Sequence, residues 1–113
     1  MPGSLRPVVW HGDSLERVRA FPNEARQDAG YQLSRVQKGL EPRDWKPINT
    51  AGPSVMELRI HAGNEYRVVY VAKLKDAVHV LHAFVKKTRK TRQADIPMAA
   101  SRYRRLIEEE RQK

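Results

Sequence analysis

The chain has 113 residues, room for one small domain with a single modest core. Its 22 lysines and arginines outnumber 13 acids, an excess that attracts polyanions: nucleic acid, an anionic membrane or an acidic protein. It has no cysteine, which excludes disulfides, zinc–cysteine sites and thiol nucleophiles.

No apolar run approaches the length of a membrane span, and Met1-Pro2-Gly3-Ser4 lacks the charged-then-apolar order of a signal peptide. A cytoplasmic location and no membrane partner are therefore expected. Arg6-Pro7-Val8-Val9-Trp10 reads as a first strand, with Pro7 near its start where a missing N–H is tolerable. Asp13 and Glu16 have capping-box spacing at the head of a short helix from Ser14 to Ala20. Pro22 suits the first turn of a second helix, to Lys38, with Ala25, Ala29, Leu33 and Val36 on one stripe and Arg26, Gln32 and Arg35 off it. Gly39 is placed for a left-handed C-cap. The two helices read as a hairpin laid over one face of a sheet. The segment Glu41 to Ser54 reads as a loop, in which Trp45 and Ile48 cover the edge of the core or, on the other reading, Trp45 offers a stacking platform for a base.

The sheet follows as three runs, Val55–Ile60, Tyr66–Ala72 and Ala77–Val85, separated by Gly63-Asn64 and Lys75-Asp76 as in a meander of hairpins. Met56, Leu58 and Ile60 alternate with Glu57, Arg59 and His61, so one face is expected to pack under helices and the other to meet solvent or ligand. Arg67 joins Arg59 on the open face if the register pairs them. The third run is apolar on both sides, as in a doubly covered strand. A last helix is predicted with Asp95 as cap, Pro97 in its first turn and Ile96, Ala99, Tyr103 and Leu106 or Ile107 as its buried stripe. The fold expected is α+β: an N-terminal strand, a helical hairpin, a three-stranded antiparallel meander and a C-terminal helix, as one domain over residues 1–113.

The densest positive charge is the run Lys86-Lys87-Thr88-Arg89-Lys90-Thr91-Arg92. Guanidinium groups grip phosphate bidentately and lysines add point charge. Arg59, Arg67, Lys86, Lys87, Arg89 and Lys90 therefore form the constellation with the most chemical content, suited to stabilising a charged phosphorane; a solvated basic surface is the bland alternative. His82, inside an apolar strand, reads as a hydrogen-bonded core residue; His61 lies on the polar face before a turn; His79 opens the third strand; His11 has no evident partner. No spacing suggests metal ligation, a Ser-His-Asp triad or a glycine-rich phosphate loop, and no cofactor is expected.

The order Met56-Glu57-Leu58-Arg59-Ile60, Tyr66-Arg67-Val68-Val69-Tyr70, then His82-Ala83-Phe84-Val85-Lys86-Lys87 with Lys90-Thr91, resembles the phage-derived Gp49-like/HigB branch of the RelE/ParE toxin superfamily. Phe21-Pro22, Leu40-Glu41-Pro42 and Lys46-Pro47-Ile48 fit the same pattern. The resemblance implies a RelE-like fold related to microbial ribonucleases and the toxin of a type II toxin–antitoxin pair. Its partner would be a small helix-turn-helix antitoxin, and its target mRNA on the ribosome. It carries over Arg59, Arg67, Lys86 and Lys87 as phosphate- and transition-state-binding; with the charge run, the site expected is Arg59, Arg67, Lys87 and Glu57 as catalytic and Lys86, Arg89, Lys90 and Arg92 as RNA- and phosphate-binding. Glu57 is a general base beside Arg59 or an ion-paired strand residue, the latter preferred. Arg92 stands where the branch usually has proline, and no C-terminal tyrosine matches the one RelE-like enzymes stack on the substrate base. Two other functions fit the same residues: a ParE-like gyrase poison, and a non-catalytic phage-derived RNA- or protein-binding module.

Overall fold

Alternation of side chains along residues 55–71 produces a hairpin of β3 (Val55–Ala62) and β4 (Asn64–Val71), turned at Gly63 with φ +83°, where only glycine is free of steric cost. The computed structural model describes residues 5–73, 76–87 and 89–112, without the side chains of residues 89–92. Strand β5 (Val78–Val85) adds to β4 antiparallel, and β1 (Val8–Trp10) adds to β5 parallel. The short β2 (Trp45–Pro47) pairs with β3, giving a five-stranded mixed sheet in the order β1-β5-β4-β3-β2. With α1 (Ser14–Arg19), α2 (Asn23–Gln37) and α3 (Arg89–Arg111), the fold is α+β, as expected.

Two cores sandwich the sheet. On one face Ala25, Ala29, Leu33 and Val36 of α2 and Val18 of α1 meet Leu58, Ile60, Tyr66, Val68, Tyr70, Val78, Val80 and Ala83, all buried. The stripe predicted for the second helix is the one that is buried. On the other face Ala99 and Leu106 of α3 cover Val55, Val69, Val71, Leu81 and Phe84. Each fully buried aliphatic side chain contributes about 1.5–3 kcal/mol, so both faces are held by apolar packing.

A β-bulge makes the second core possible. Consecutive β4 residues Val69 and Tyr70 pair with His82 and Val80, leaving Leu81 as an extra residue on β5. Strict alternation would send His82 toward α2; the bulge turns Leu81, His82 and Phe84 all to the α3 side. Arg102 of α3 donates to the bulged Leu81 carbonyl at 2.9 Å.

Several expectations are corrected. The face carrying Glu57 and Arg67 is not open, because α3 lies over it; both residues are buried. The predicted loop 41–54 contains β2, whose three residues are too few to show a period. Helix α3 begins at Arg89, before Asp95, because Arg89, Lys90, Arg92, Gln93 and Ala94 are good helix formers and Asp95 spends its carboxylate on His82 instead of a cap. Pro97 accordingly lies inside the helix. Asp13 makes no capping hydrogen bond, its oxygens being taken by Arg17 and Arg102. Gln32 is buried, donating to Asp28 and accepting from the Arg43 N–H. Gly39 does adopt the left-handed conformation, φ +80°. Of the predicted turn residues Lys75-Asp76, Lys75 lies outside the described residues.

Gly12 has φ +55°, and a Cβ placed there would stand 2.4 Å from Cζ of Arg102. Gly12→Ala is expected to cost about 1–3 kcal/mol, from the left-handed backbone and from displacing Arg102. A lowered urea midpoint checks this; an unchanged midpoint shows that Arg102 yields freely.

Candidate functional site

Strand register assembles the site. Arg59 stands directly opposite Arg67, Glu57 opposite Val69, and His61 opposite Glu65. On the far side of β4, Phe84 pairs with Arg67 and His82 with Val69. On the other flank, β2 sets Lys46 opposite Glu57. One face thus carries Lys46, Glu57, Arg59, His61, Glu65, Arg67 and His82 within three neighbouring strand pairs.

Two guanidinium groups directly across an antiparallel pair repel unless anions intervene. Glu57 intervenes from below: its side chain is wholly buried, with Oε1 3.4 Å from Arg59 Nε and 3.8 Å from Arg67 Nε. Arg67 is itself buried, and its NH1 donates to Glu65 Oε1 at 3.1 Å and to the Tyr66 carbonyl at 3.0 Å. Its Nε has no hydrogen-bond partner. Arg59 is the more accessible of the pair, with 28% of its side chain exposed. A guanidinium needs an exposed edge to grip a phosphate, and Arg59 has one.

At the hairpin end, His61 lies between two carboxylates: Nδ1 is 2.8 Å from Glu65 Oε2 and Nε2 is 2.7 Å from Asp44 Oδ2. These contacts, Glu65 foremost, hold the imidazole pKa above its ordinary value, while His61 holds the Glu65 carboxyl below its own. The Glu65 carbonyl also accepts the Lys86 N–H at 2.8 Å, which fixes the start of the basic run beside this end of β4.

A second network fastens α3 to the sheet. His82 is buried and its Nε2 is 2.7 Å from Asp95 Oδ1. Its Nδ1 faces the Arg102 guanidinium at 3.3 Å, and a guanidinium can only donate, so Nδ1 is the acceptor and Nε2 carries the proton. The ring is therefore neutral, in keeping with a pKa pushed down by burial. Arg102 NH2 continues to Asp13 Oδ1 at 2.8 Å. Arg17 and then Arg102 pull the Asp13 carboxyl down to about 2, although solvent reaches much of this pair.

Of the residues singled out from sequence, Glu57, Arg59 and Arg67 come together, and Lys86 joins them through its backbone. Lys87 is exposed just beyond. The side chains of Arg89, Lys90 and Arg92 lie outside the described residues; their backbone forms the first turn of α3. Trp45 is half-buried and lines a cleft of about 200 Å³ with Leu40, Met56 and Tyr70 on the opposite side of the sheet, so it covers the first core and does not face the arginines. Ile48 is buried in the second core. His82 is the hydrogen-bonded core residue expected, and His11 does have a partner, His79 Nδ1 at 2.9 Å from its Nε2. Sequence reasoning missed Lys46, Glu65 and Asp44. Alternation along the second run would have put Glu65 on the Arg67 side, but Lys46 and Asp44 required knowing that β2 exists. Among the described residues, no group of His, Asp and Glu side chains is arranged to hold a metal ion, and no helix is long and apolar enough to cross a membrane.

The family model described as phage-derived protein Gp49-like matches residues 16–104, from within α1 to well along α3. The chain belongs to the Gp49-like family. No curated protein and no solved structure is significantly similar to it. The matched span contains the cluster from Asp44 to Lys86 together with Asp95 and Arg102, though not Asp13, as well as the residues expected from sequence to be catalytic and RNA-binding.

Proposed function

We propose that this Gp49-like chain is the toxin of a type II toxin–antitoxin pair, and that it blocks translation in the cytoplasm by cutting mRNA on the ribosome. The observation that carries the reading is the Arg59–Arg67 cross-strand pair set over buried Glu57, with the basic run starting alongside at Lys86. A guanidinium with an exposed edge, as on Arg59, suits a phosphate whose charge grows in the transition state. Arg59 is assigned the phosphate grip. Arg67 and Glu57 hold the charge pattern beneath it, and Lys86, Lys87, Arg89, Lys90 and Arg92 are assigned to the RNA backbone. A small helix-turn-helix antitoxin is the partner expected from the resemblance.

Induced expression of the chain is expected to arrest growth, with primer extension showing cut transcripts. Arg59→Ala is expected to lower cleavage by about 10²–10³-fold, as removal of one transition-state donor does elsewhere. Arrest with intact transcripts would sink the nuclease reading. A second reading, a binding module without catalysis, is favoured by one specific observation: Glu57, Glu65 and Asp44 set three carboxylates against Arg59, Arg67 and His61. A chain that is harmless, yet binds RNA with a steep salt dependence, would select it.

A further inference from the structure

Cleavage of RNA without a metal needs a group that protonates the departing oxygen. A guanidinium is too weak an acid to supply that proton, and Glu57 is wholly buried between Arg59 and Arg67. His61 differs in both respects: imidazole titrates near neutrality, and half of this side chain is exposed, at 51%. It lies two residues beyond Arg59 on the same face of β3 and directly opposite Glu65.

Glu65 connects this ring to the rest of the site. Its carboxylate holds His61 Nδ1 at 2.8 Å and the Arg67 guanidinium at 3.1 Å, and its carbonyl holds the Lys86 N–H. Asp44, on the segment before β2, holds His61 Nε2, and its carbonyl accepts the Arg59 N–H at 2.9 Å. The imidazole is thus oriented by two carboxylates, one of which, Glu65, is shared with the Arg67 guanidinium. A histidine placed only to staple the hairpin needs no such shared carboxylate.

We propose that His61 is the general acid of this site, donating the Nε2 proton to the leaving 5′-oxygen of RNA, with Glu65 as the residue that positions it. The assignment rests on the nuclease reading above. In the step, the 2′-oxygen bonds to the adjacent phosphorus and its proton passes to water. The phosphorus–O5′ bond breaks with its electron pair left on O5′, and that oxygen takes the proton from Nε2. The products are a 2′,3′-cyclic phosphate and a 5′-hydroxyl, and neutral His61 regains a proton from solvent. The substrate oxygen replaces Asp44 as the acceptor at Nε2, because the Glu65 carboxylate is anchored a second time by the Arg67 guanidinium. The charged groups acting on the ring are the carboxylates of Glu65 on β4 and Asp44 before β2, which raise its pKa. Arg59 on β3, Arg67 on β4 and Lys86 after β5 are the charged residues next along the neighbouring elements.

The test is the rate of mRNA cleavage by the full chain in a reconstituted translation system, followed from about pH 6 to pH 9, where imidazole acids lose their proton. The wild-type rate is expected to fall as pH rises through the raised His61 pKa. His61→Gln, whose amide N–H can still hydrogen-bond to one of the two carboxylates, is expected to lose about 10²-fold in rate and to lose that alkaline limb. Added imidazole is expected to restore part of the rate to His61→Ala. Thermal melts confirm that both variants fold. A His61→Gln chain with wild-type rate and pH profile overturns the assignment and leaves the nuclease reading standing. A slow His61→Gln chain that keeps the alkaline limb overturns it too, showing a purely positional role. A wild-type chain that leaves mRNA intact overturns the nuclease reading, and the role of His61 with it.

Discussion

Replacing Arg67 by alanine is expected to destabilise the fold by about 3–5 kcal/mol, the range seen when one partner of a buried ion pair is removed. Glu57 has no exposed surface, and Arg67 is buried above it. Desolvation of both charges is offset by their mutual attraction and by the hydrogen bonds from Arg67 to Glu65 and the Tyr66 carbonyl. Without Arg67, Glu57 keeps Arg59 at 3.4 Å, which places the cost toward the lower end of that range. Urea unfolding measures it directly. Arg67→Lys should fall between wild type and alanine, because an ammonium keeps the charge but not the planar fork. The double variant Glu57→Leu with Arg67→Met should regain most of the lost stability, since apolar groups of similar volume often replace a buried pair without cost. It should not regain RNA cleavage. An Arg67→Ala chain as stable as wild type would show that Glu57 does not depend on this partner. Because Arg67 supports the fold, loss of toxicity on its removal cannot by itself identify a catalytic role, and the more accessible Arg59 is the sharper probe.

The parts of the structure that follow from periodicity were legible. Alternation in residues 55–71 gives the hairpin and separates the arginines from the apolar face, the Arg59–Arg67 pairing itself depending on the register that the turn at Gly63 sets, and the four-residue stripe of α2 gives its buried face. What was not legible depended on long-range partners. The bulge at Leu81 reverses the facing of everything after it on β5, and nothing in the run VHVLHAFV marks where the extra residue falls. Without the bulge, the positions of His82 and Phe84 relative to Arg67 cannot be deduced. Asp95 has the residue type and the position of a helix cap, and only its proximity to His82, 13 residues earlier, shows a different use. The reading of the arginine face as open failed for the same reason: the stripe on α3 was seen, but the sheet face it covers was not. The cationic character was legible, but the compensating carboxylates of Glu65 and Asp44 were not weighed. Their presence turns a clamp of free cations into a nearly neutral network with one exposed titratable ring.

Asp95→Ala is expected to cost about 2–3 kcal/mol, because it leaves the His82 N–H buried without its acceptor. Asp95→Asn should cost clearly less, since an amide oxygen can accept the same hydrogen. The pH dependence gives a separate check. Burial holds the folded His82 pKa below the 6.5 of the free side chain, so the unfolded chain takes up a proton first as pH falls. The stability linked to this ring is therefore complete above about pH 6.5 and is lost progressively below it. His11, also lowered by burial and by His79, acts with the same sign. Asp95 raises the His82 pKa, so removing it widens the gap between folded and unfolded values and steepens the loss on the acid side. His82→Leu should flatten the curve, leaving the His11 contribution. Urea midpoints for the three chains between about pH 8 and 5 decide it; parallel curves would show that His82 does not report the acid transition. The consequence reaches the site through α3. The Asp95–His82 contact lies on the second turn of that helix, immediately after the turn that carries Arg89, Lys90 and Arg92, and Arg102, about two turns further on, secures the helix to Leu81 and Asp13. Release of Asp95 removes, among the described residues, the side-chain hydrogen bond nearest to the basic turn. RNA cleavage by Asp95→Ala is therefore expected to fall even at temperatures where the chain remains folded, whereas a helix fastened chiefly by Ala99 and Leu106 would leave it unchanged.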